Sequence, residues 1–596
     1  MISAIKRRLS GLTDSVGRYP VTVIFLIAAA VMTGLMIHDG RDLVKMTLTC
    51  AVGAAALAAA QSAYERFFIG AIWRTTLFAA GLLVTALFYL SIFRLPTDTA
   101  ETAVRAVVSI VTLLIAYVWL GVVGSRIGFN DSFMAAFKAL AQALFFSGVL
   151  FLGCAAIIAA VDLLILPVNE NAYPYTADFV FIVFLPMLFL SLVPIYPGRG
   201  GTTEDHDTAR QALVEKRTSC PRFLEVLLSY IVIPLAAVFT LILVIYIFMN
   251  IGGKFWTNDL LEPLLISYSI TVLILTLLVG RLENKFAVLF KMIFPKILVL
   301  IALFQTIASV LQAADAGMTF SRYFVILFGV FSVFSGIVLS GWPVWKSGAI
   351  AACFLVLATI SMVPPIDAFS VSRNSQIQVM TAVLEKNGML TNGKIQPNGN
   401  IPEEDKARLT TALQYLASTN EITAVRYLPA GFNPYDDAAF YNVFGFHFYE
   451  IDRPTEQYIS VSYDFSDMIT VAGYDVVTQS VMSAPALTEK TGAANAAAFE
   501  VNGITYRMET ATNGKEMQIR ILDSNGKTLL VFDASTIRAR FDKLTRYDNN
   551  LSLDEATFTT ENDEAALKIV IQNAGFTRGQ AANDFYAQML VCINIK

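Results

Sequence analysis

The chain has 596 residues, of which 56% are hydrophobic and 15% charged, with a mean hydropathy of +0.59. No water-soluble fold buries that much apolar surface, so the composition excludes an ordinary globular protein and points to a bilayer. The formal charge of −4 divides into +5 over residues 1–365 and −9 over 366–596. The acidic part argues against a nucleic-acid partner, which would require a basic face.

The N-terminal tail, residues 1–19, carries Lys6, Arg7 and Arg8 ahead of an apolar run, Val21–Ile37. That run is longer than the core of a cleaved leader and many more follow it, so an uncleaved first span is expected. A spanning helix needs about 20 mainly apolar residues. By that test there are about eleven spans: 20–37, 43–60, 75–93, 103–124, 142–166, 177–196, 223–249, 264–280, 294–311, 323–340 and 347–363. Six form a first bundle, residues 20–196, and five a second, residues 223–363, on either side of a loop at 197–222. The pattern from Ser132 to Ile165 is too long for one upright span. It is expected to begin as an interfacial helix around residues 132–140.

With the N-terminus in the cytoplasm, 18 Lys and Arg of residues 1–365 fall inside and 6 outside, the bias expected of a cytoplasmic membrane protein. Trp73, Trp119, Trp256, Trp342 and Trp345 lie near span ends, where amphipathic rings settle. An odd number of spans then places everything after the last one outside the cytoplasm.

The first outer loop, residues 38–42, holds Asp39 and Asp42. Glycosyltransferases that use lipid-linked sugars place a catalytic acid in such a loop. This one is too short to build a substrate cleft, and two acids beside Arg41 read more simply as a polar turn. The glycine-rich stretch at 197–207 lacks the Lys-Ser/Thr of a phosphate cradle and reads as a linker. No ionisable residue sits at a span centre; Gln142 and Gln305 are the deeper polar groups, expected to bond between helices. That pattern weighs against a proton- or ion-coupled pump.

Three histidines (His38, His206, His447) and five cysteines, with no CxxC, give no metal centre and no cofactor motif. Only Cys592 falls beyond residue 365, so that part closes no disulfide within itself.

Past Pro364 and Pro365 the composition changes, and residues 366–596 read as one α+β domain. Helical spacing appears at 374–386, 401–418 and 436–446. Alternation then predicts strands at 457–465, 498–510, 516–532, 566–573 and 589–596, paired antiparallel through hairpins. Asn513-Gly514 and Asn525-Gly526 are expected type I′ turns. The fold class is thus a mainly α-helical polytopic bundle followed by an extracytoplasmic α+β domain with antiparallel strands.

Between the ninth and tenth runs the chain reads Gly317, Thr319, Arg322 and Tyr323 at the spacing Gly-x-Thr-x-x-Arg-Tyr. With 223–248 and 370–416, this stretch resembles the bacterial polytopic membrane family catalogued as domain of unknown function 4153. The family's Tyr is replaced by Ala316 and a common Arg by Gln312. The resemblance implies no activity. Read physically, Gly317 turns the chain, Thr319 caps the next helix, Arg322 and Tyr323 hold its end, and Asp315 pairs with Arg322. The same residues, Asp315 to Tyr323, are also a candidate ligand or lipid-headgroup site.

These observations favour a non-enzymatic envelope protein over an enzyme. It contacts the lipid bilayer and presents residues 366–596 to an envelope component or protein partner. The alternative is a transporter or flippase for a lipidic or amphipathic substrate. A tether of about ten residues after Pro365 reaches only ~30 Å, so the outer domain is expected to rest on loops 250–263 and 312–322.

Overall fold

The computed structural model describes residues 15–97, 99–125, 127–196, 214–250, 262–448, 458–463, 468–483, 495–513, 516–542, 550–577 and 585–596. The chain divides into two compact units, Met1–Gly445 and Phe446–Lys596.

In the first unit the apolar runs are helices, the conformation that satisfies every backbone group within one segment when no water is at hand. They are α1 Pro20–Asp39, α2 Val44–Phe67, α3 Ala71–Ile92, α4 Ala100–Leu120, α5 Phe129–Leu164 and α6 Ala172–Leu192, followed by α7 over 222–250. Next come α8 Glu262–Leu278, α9 Lys285–Ala316, α10 Phe320–Gly341 and α11 Gly348–Ile360. Among the described residues nine helices are long and apolar enough to cross a membrane. The expected count of about eleven is not reached, because α8 and α11 fall short in length. The anticipated break near Leu140 is also absent. With no proline or glycine between Phe129 and Phe146, α5 runs unbroken for 36 residues, about 54 Å at 1.5 Å per residue.

Two helices carry a wide turn ahead of a proline. The amide of Leu185 donates to the carbonyl of Val180 in α6, and that of Ile233 to Leu228 in α7. Pro186 and Pro234 follow directly. A proline ring clashes with the carbonyl four residues back and cannot donate, and a widened turn relieves both.

The helices alternate in direction. Arg18, just ahead of α1, bonds Glu65 at the end of α2, and Lys45 in the first turn of α2 reaches the Phe93 carbonyl past α3. The end where α1 begins is called the near end, the other the far end. The helices α9 and α10 pack closely. A Cβ on Gly329 would lie 2.1 Å from Thr306 Oγ1, and one on Gly336 2.9 Å from the Pro295 carbonyl oxygen. Small residues let these backbones approach, as is usual where lipid supplies no hydrophobic drive.

Three more helices complete the unit: α12 Ala368–Lys386, α13 Glu403–Ser418 and α14 Asp437–Phe444. A two-residue hairpin joins β1 Leu390–Thr391 to β2 Lys394–Ile395, with Asn392 and Gly393 at positive φ. The three predicted helices of the exposed half therefore form, but in the first unit. The compact units part at Gly445 rather than near 366.

The second unit holds β3 Tyr458–Ser462, β4 Val476–Ser483, β5 Asn495–Val501, β6 Ile504–Asn513, β7 Glu516–Leu522 and β8 Thr528–Asp533. After a short helix, α15 Ser535–Phe541, and a single turn, α16 Leu553–Ala556, come β9 Thr557–Glu561, β10 Ala565–Thr577 and β11 Tyr586–Ile595. One sheet has the order β3-β10-β11-β4, with β9 also on β10; the other is the meander β5-β6-β7-β8. All pairings are antiparallel. Met508, Ile519 and Phe532 of the meander share one core with Ile569, Ile571 and Val591 of the larger sheet.

The turn chemistry differs from the sequence reading. Residues 498–510 are a hairpin and not one strand, turning at Asn502 and Gly503, both at positive φ as type I′ requires. At Asn525-Gly526 only Gly526 has positive φ, and the Asp523 carboxylate instead accepts from the amides of Asn525 and Lys527. The β6–β7 hairpin forms with Asn513 opposite Glu516, while Gly514 lies outside the described residues.

Candidate functional site

The far-end turn between α9 and α10 is densely bonded. Gly317 breaks α9 at φ +83, and the Thr319 hydroxyl accepts from the amide of Arg322 at 3.3 Å, opening α10. Both expectations for these residues hold. The ion pair expected of Asp315 does not. Its carboxylate and carbonyl accept from Arg408 of α13 at 2.5 Å each, while Arg322 Nη1 turns back to the Gly317 carbonyl at 3.2 Å. The cation that reaches Asp315 comes from α13, 93 residues further along the chain.

The rest of the turn is a seat for α12 and α13. Gln376 Nε2 donates to the carbonyls of Ala316 and Met318, and Ser375 Oγ accepts from the amide of Met318 at 2.9 Å. The amide of Phe320 donates to the Tyr415 hydroxyl at 2.9 Å, and the Phe320 ring stacks on Phe369 with centroids 5.1 Å apart. Burial pushes the Tyr415 phenol up, so it stays neutral and can accept. Tyr323 donates to the Ile366 carbonyl at 2.8 Å. Most of these bonds go to main-chain atoms, so they specify geometry and not side-chain identity on the turn.

A second tie lies beside the first, and sequence reasoning missed it. Arg105, read as an outer cation near a span end, is 5% exposed and donates to Glu101, to the Met362 carbonyl and to Asp367 at 3.0 Å. Asp367 is fully buried, and the same oxygen caps α12 by accepting from Phe369 and Ser370. The signal was present in the sequence: an acid directly after Pro364-Pro365-Ile366 is a helix N-cap. Its cationic partner 262 residues earlier carries no local signature. The linker is shorter than expected, since helix resumes at Ala368. The docking expected over residues 312–322 is made by α12 and α13, whereas 251–261 lie outside the described residues.

The acids of the first loop are each held by polar groups of the same end of the bundle. Asp39 pairs with Arg41 at 2.6 Å, and Asp42 accepts from Thr97 Oγ1 at 2.7 Å and the Val44 amide at 3.4 Å. That is the arrangement of a polar turn. Gln305 does not bond between helices: it is 1% exposed and neither amide atom has a partner among the described residues. Gln142 lies on the exposed side of α5. No cluster of metal-ligating side chains occurs among the described residues.

Two apolar grooves cut into the bundle. The larger, about 510 Å³, runs between α1, α2, α4, α5 and α6; the smaller, about 250 Å³, lies between α4, α10 and α11.

Long apolar helices, a helical layer seated on the far-end turn and a following antiparallel β unit define the class of a multi-span membrane protein. Residues 22–390 match the family model described as Domain of unknown function (DUF4153). The chain belongs to that family, as the far-end motif implied. No curated protein and no solved structure matches the chain.

Proposed function

We propose that this is a bacterial envelope protein of the cytoplasmic membrane in which residues 366–596 lie outside the cytoplasm and act in binding, scaffolding or sensing, without catalysis. The Lys and Arg distribution supports a near end that faces the cytoplasm. The observation that carries the reading is the far-end seat. The layer of α12 and α13 is tied to α9–α10 by Arg408 on Asp315 and Gln376 on Ala316 and Met318, and to α4 by Arg105 on Asp367. A layer bonded in that way conveys a force or a binding event into α4, α9 and α10 instead of swinging free. Asp315, Gly317, Thr319, Arg322 and Tyr323 are then positioning residues.

Two measurements test it. Alkaline phosphatase fused after Ile366 should be active and fused after Cys220 inactive; the reverse would overturn the sidedness. Hydrogen exchange in residues 312–322 should quicken when Arg408→Ala and Gln376→Ala remove the seat, and unchanged exchange would refute the coupling.

A second reading, carriage of a lipidic or amphipathic substrate, is favoured by the 510 Å³ groove in the first six helices. It predicts that lipid redistribution across vesicles holding the protein exceeds that of protein-free vesicles.

A further inference from the structure

At the near end of the bundle a cleft of about 590 Å³ opens between the ends of α5, α8, α9 and α10 and the turn into α11. Asp131, Arg281 and Lys291 form its charged side, and Val288, Met292 and Trp342 its apolar side. Gly280, the residue before Arg281, lets these ends meet. A Cβ there would lie 2.9 Å from Asn130 Nδ2 of α5 and 2.9 Å from Val344 Cγ1 of the turn into α11.

Asp131 is 4% exposed and its carboxylate is saturated. Oδ1 accepts from Asn130 Nδ2 at 3.0 Å and Arg281 Nε at 2.6 Å, and Oδ2 from the Gly128 amide at 3.3 Å and Arg281 Nη2 at 2.6 Å. A carboxylate has about four lone-pair sites, and all are taken. The two-point grip fixes the Arg281 guanidinium, which stays half exposed, and leaves Nη1 without a partner among the described residues. Lys291 Nζ donates to the carbonyls of Gly280 and Leu282, the residues that flank Arg281, at 3.2 and 2.8 Å. An ammonium has three hydrogens, so one remains. The charged side chains of the cleft therefore offer donors and no free acceptor. Glu283, the next acid along the loop, is exposed and does not line the cleft. Val288, Met292 and Trp342 are themselves 49%, 56% and 55% exposed. Exposed apolar side chains on spanning helices face hydrocarbon, and a tryptophan at a span end sits where headgroups begin.

We infer that this cleft binds one anionic phospholipid of the near-end leaflet: its phosphate accepts from Arg281 and Lys291, and its acyl chains lie along Val288 and Met292. A guanidinium held on one edge presents the other as a fork that matches phosphate oxygens. Basic pockets between spanning helices suit such headgroups. A soluble phosphate would leave the apolar wall bare, whereas an amphiphile covers it. The headgroup is selected by what the cleft lacks. The ammonium of a phosphatidylcholine would find the Asp131 carboxylate filled and two cations facing it. The cleft lies at the opposite end of the bundle from the seat of α12 and α13, so neither reading depends on the other.

The test is native mass spectrometry of the full chain in mild detergent, titrated with phosphatidylglycerol and with phosphatidylcholine of identical chains. The wild type should retain one phosphatidylglycerol in preference to phosphatidylcholine, and a large excess of glycerol phosphate should not displace it. Lys291→Gln, which can still bond a flanking carbonyl, should cut the preference roughly fivefold, the worth of about one cation beside an anionic headgroup. Arg281→Lys keeps a cation on Asp131 but has no fork to offer, and should cut it by a comparable factor. Should one of the two not elute as the wild-type species, the other gives the same reading. Lys216→Gln removes an exposed cation that does not line the cleft and should leave the preference unchanged. Equal retention of the two lipids by the wild type would overturn the headgroup assignment. An undiminished preference in a well-folded Lys291 or Arg281 variant, or an equal fall in Lys216→Gln, would overturn the cleft as the site. Displacement by glycerol phosphate would show a soluble phosphate ligand in place of a lipid.

Discussion

Arg105 and Asp367 show how one contact can outweigh many on the surface. Both are buried, Asp367 completely, and the acid also caps α12. Removing Asp367 leaves Arg105 only Glu101 and the Met362 carbonyl and takes the cap from α12, at a cost of about 3 kcal/mol, whereas an exposed ion pair is worth less than ~1 kcal/mol. Asp367→Ala should therefore release α12 to protease in membranes, while Lys346→Ala, whose ammonium lies over the exposed Trp345 ring, should leave the pattern unchanged. Asp405 offers a titratable check in the same layer. Hydrogen bonds from Asn387 and Lys386 hold its carboxyl below the usual carboxylate range. A depressed folded-state pKa contributes stability above the unfolded value and loses it as pH falls through the folded one. Asp405→Asn should thus lower the melting temperature at pH 7, by the equivalent of about 2 kcal/mol. The gap to wild type should close below about pH 4. A gap that persists at low pH would assign the effect to packing. Neither residue stood out in the sequence, since Asp405 reads as one of several first-turn acids and Arg105 as a snorkelling cation. The partners that define them arrive from elsewhere in the chain.

At the level of elements, the far-end turn was legible as a turn and illegible as a seat. Gly317 and Thr319 act within a few residues of themselves, so spacing alone revealed a break and a cap. Asp315 was assigned to Arg322 because that was the nearest cation in the sequence; the fold supplies Arg408 instead, 93 residues away. Gly317 has a second duty that its local role hides. A Cβ there would meet Gln376 Nε2 at 2.8 Å and Val379 Cγ2 at 2.9 Å, in a backbone conformation that side chains disfavour. Gly317→Val should therefore lift α12 from the turn while α9 and α10, bound along their glycine face, stay paired. Cross-linking of cysteines introduced at Thr306 and Gly329 should survive the change, and protection of the Met318 amide should not. Hairpins follow the same logic. Asn502-Gly503 meets the type I′ rule yet lay hidden inside a run of alternating residues. Asn525-Gly526 met it in sequence, but the Asp523 carboxylate won the amides of Asn525 and Lys527 and drew the loop into another form.

Across the whole molecule, the class was legible because a bilayer imposes one constraint on every span. The division at Gly445 was not, because α12 to α14 resemble soluble helices in composition whatever they pack on. The second unit is held together by its last strand. β11 lies between β10 and β4, and Ala587, Met589, Val591, Cys592 and Ile593 are fully buried. β3, at the start of the unit, pairs in that sheet with β10, the next-to-last strand, so the sheet closes across nearly the full length of the unit. Such non-local pairing gives little stability until the loop is closed. Removing residues 586–596 strips β4 of its ladder, takes from β10 the longest of its three, and opens the core that Met508, Ile519 and Phe532 share with Ile569 and Val591. The spanning helices of the first unit keep cores built from residues before Gly445. A chain ending at Phe585 should therefore insert in membranes with 15–445 resistant to protease and the following residues digested. Protease resistance persisting through β5–β8 would show that the meander folds alone. Loss of resistance in α9 and α10 would show that the two units are not separable in stability.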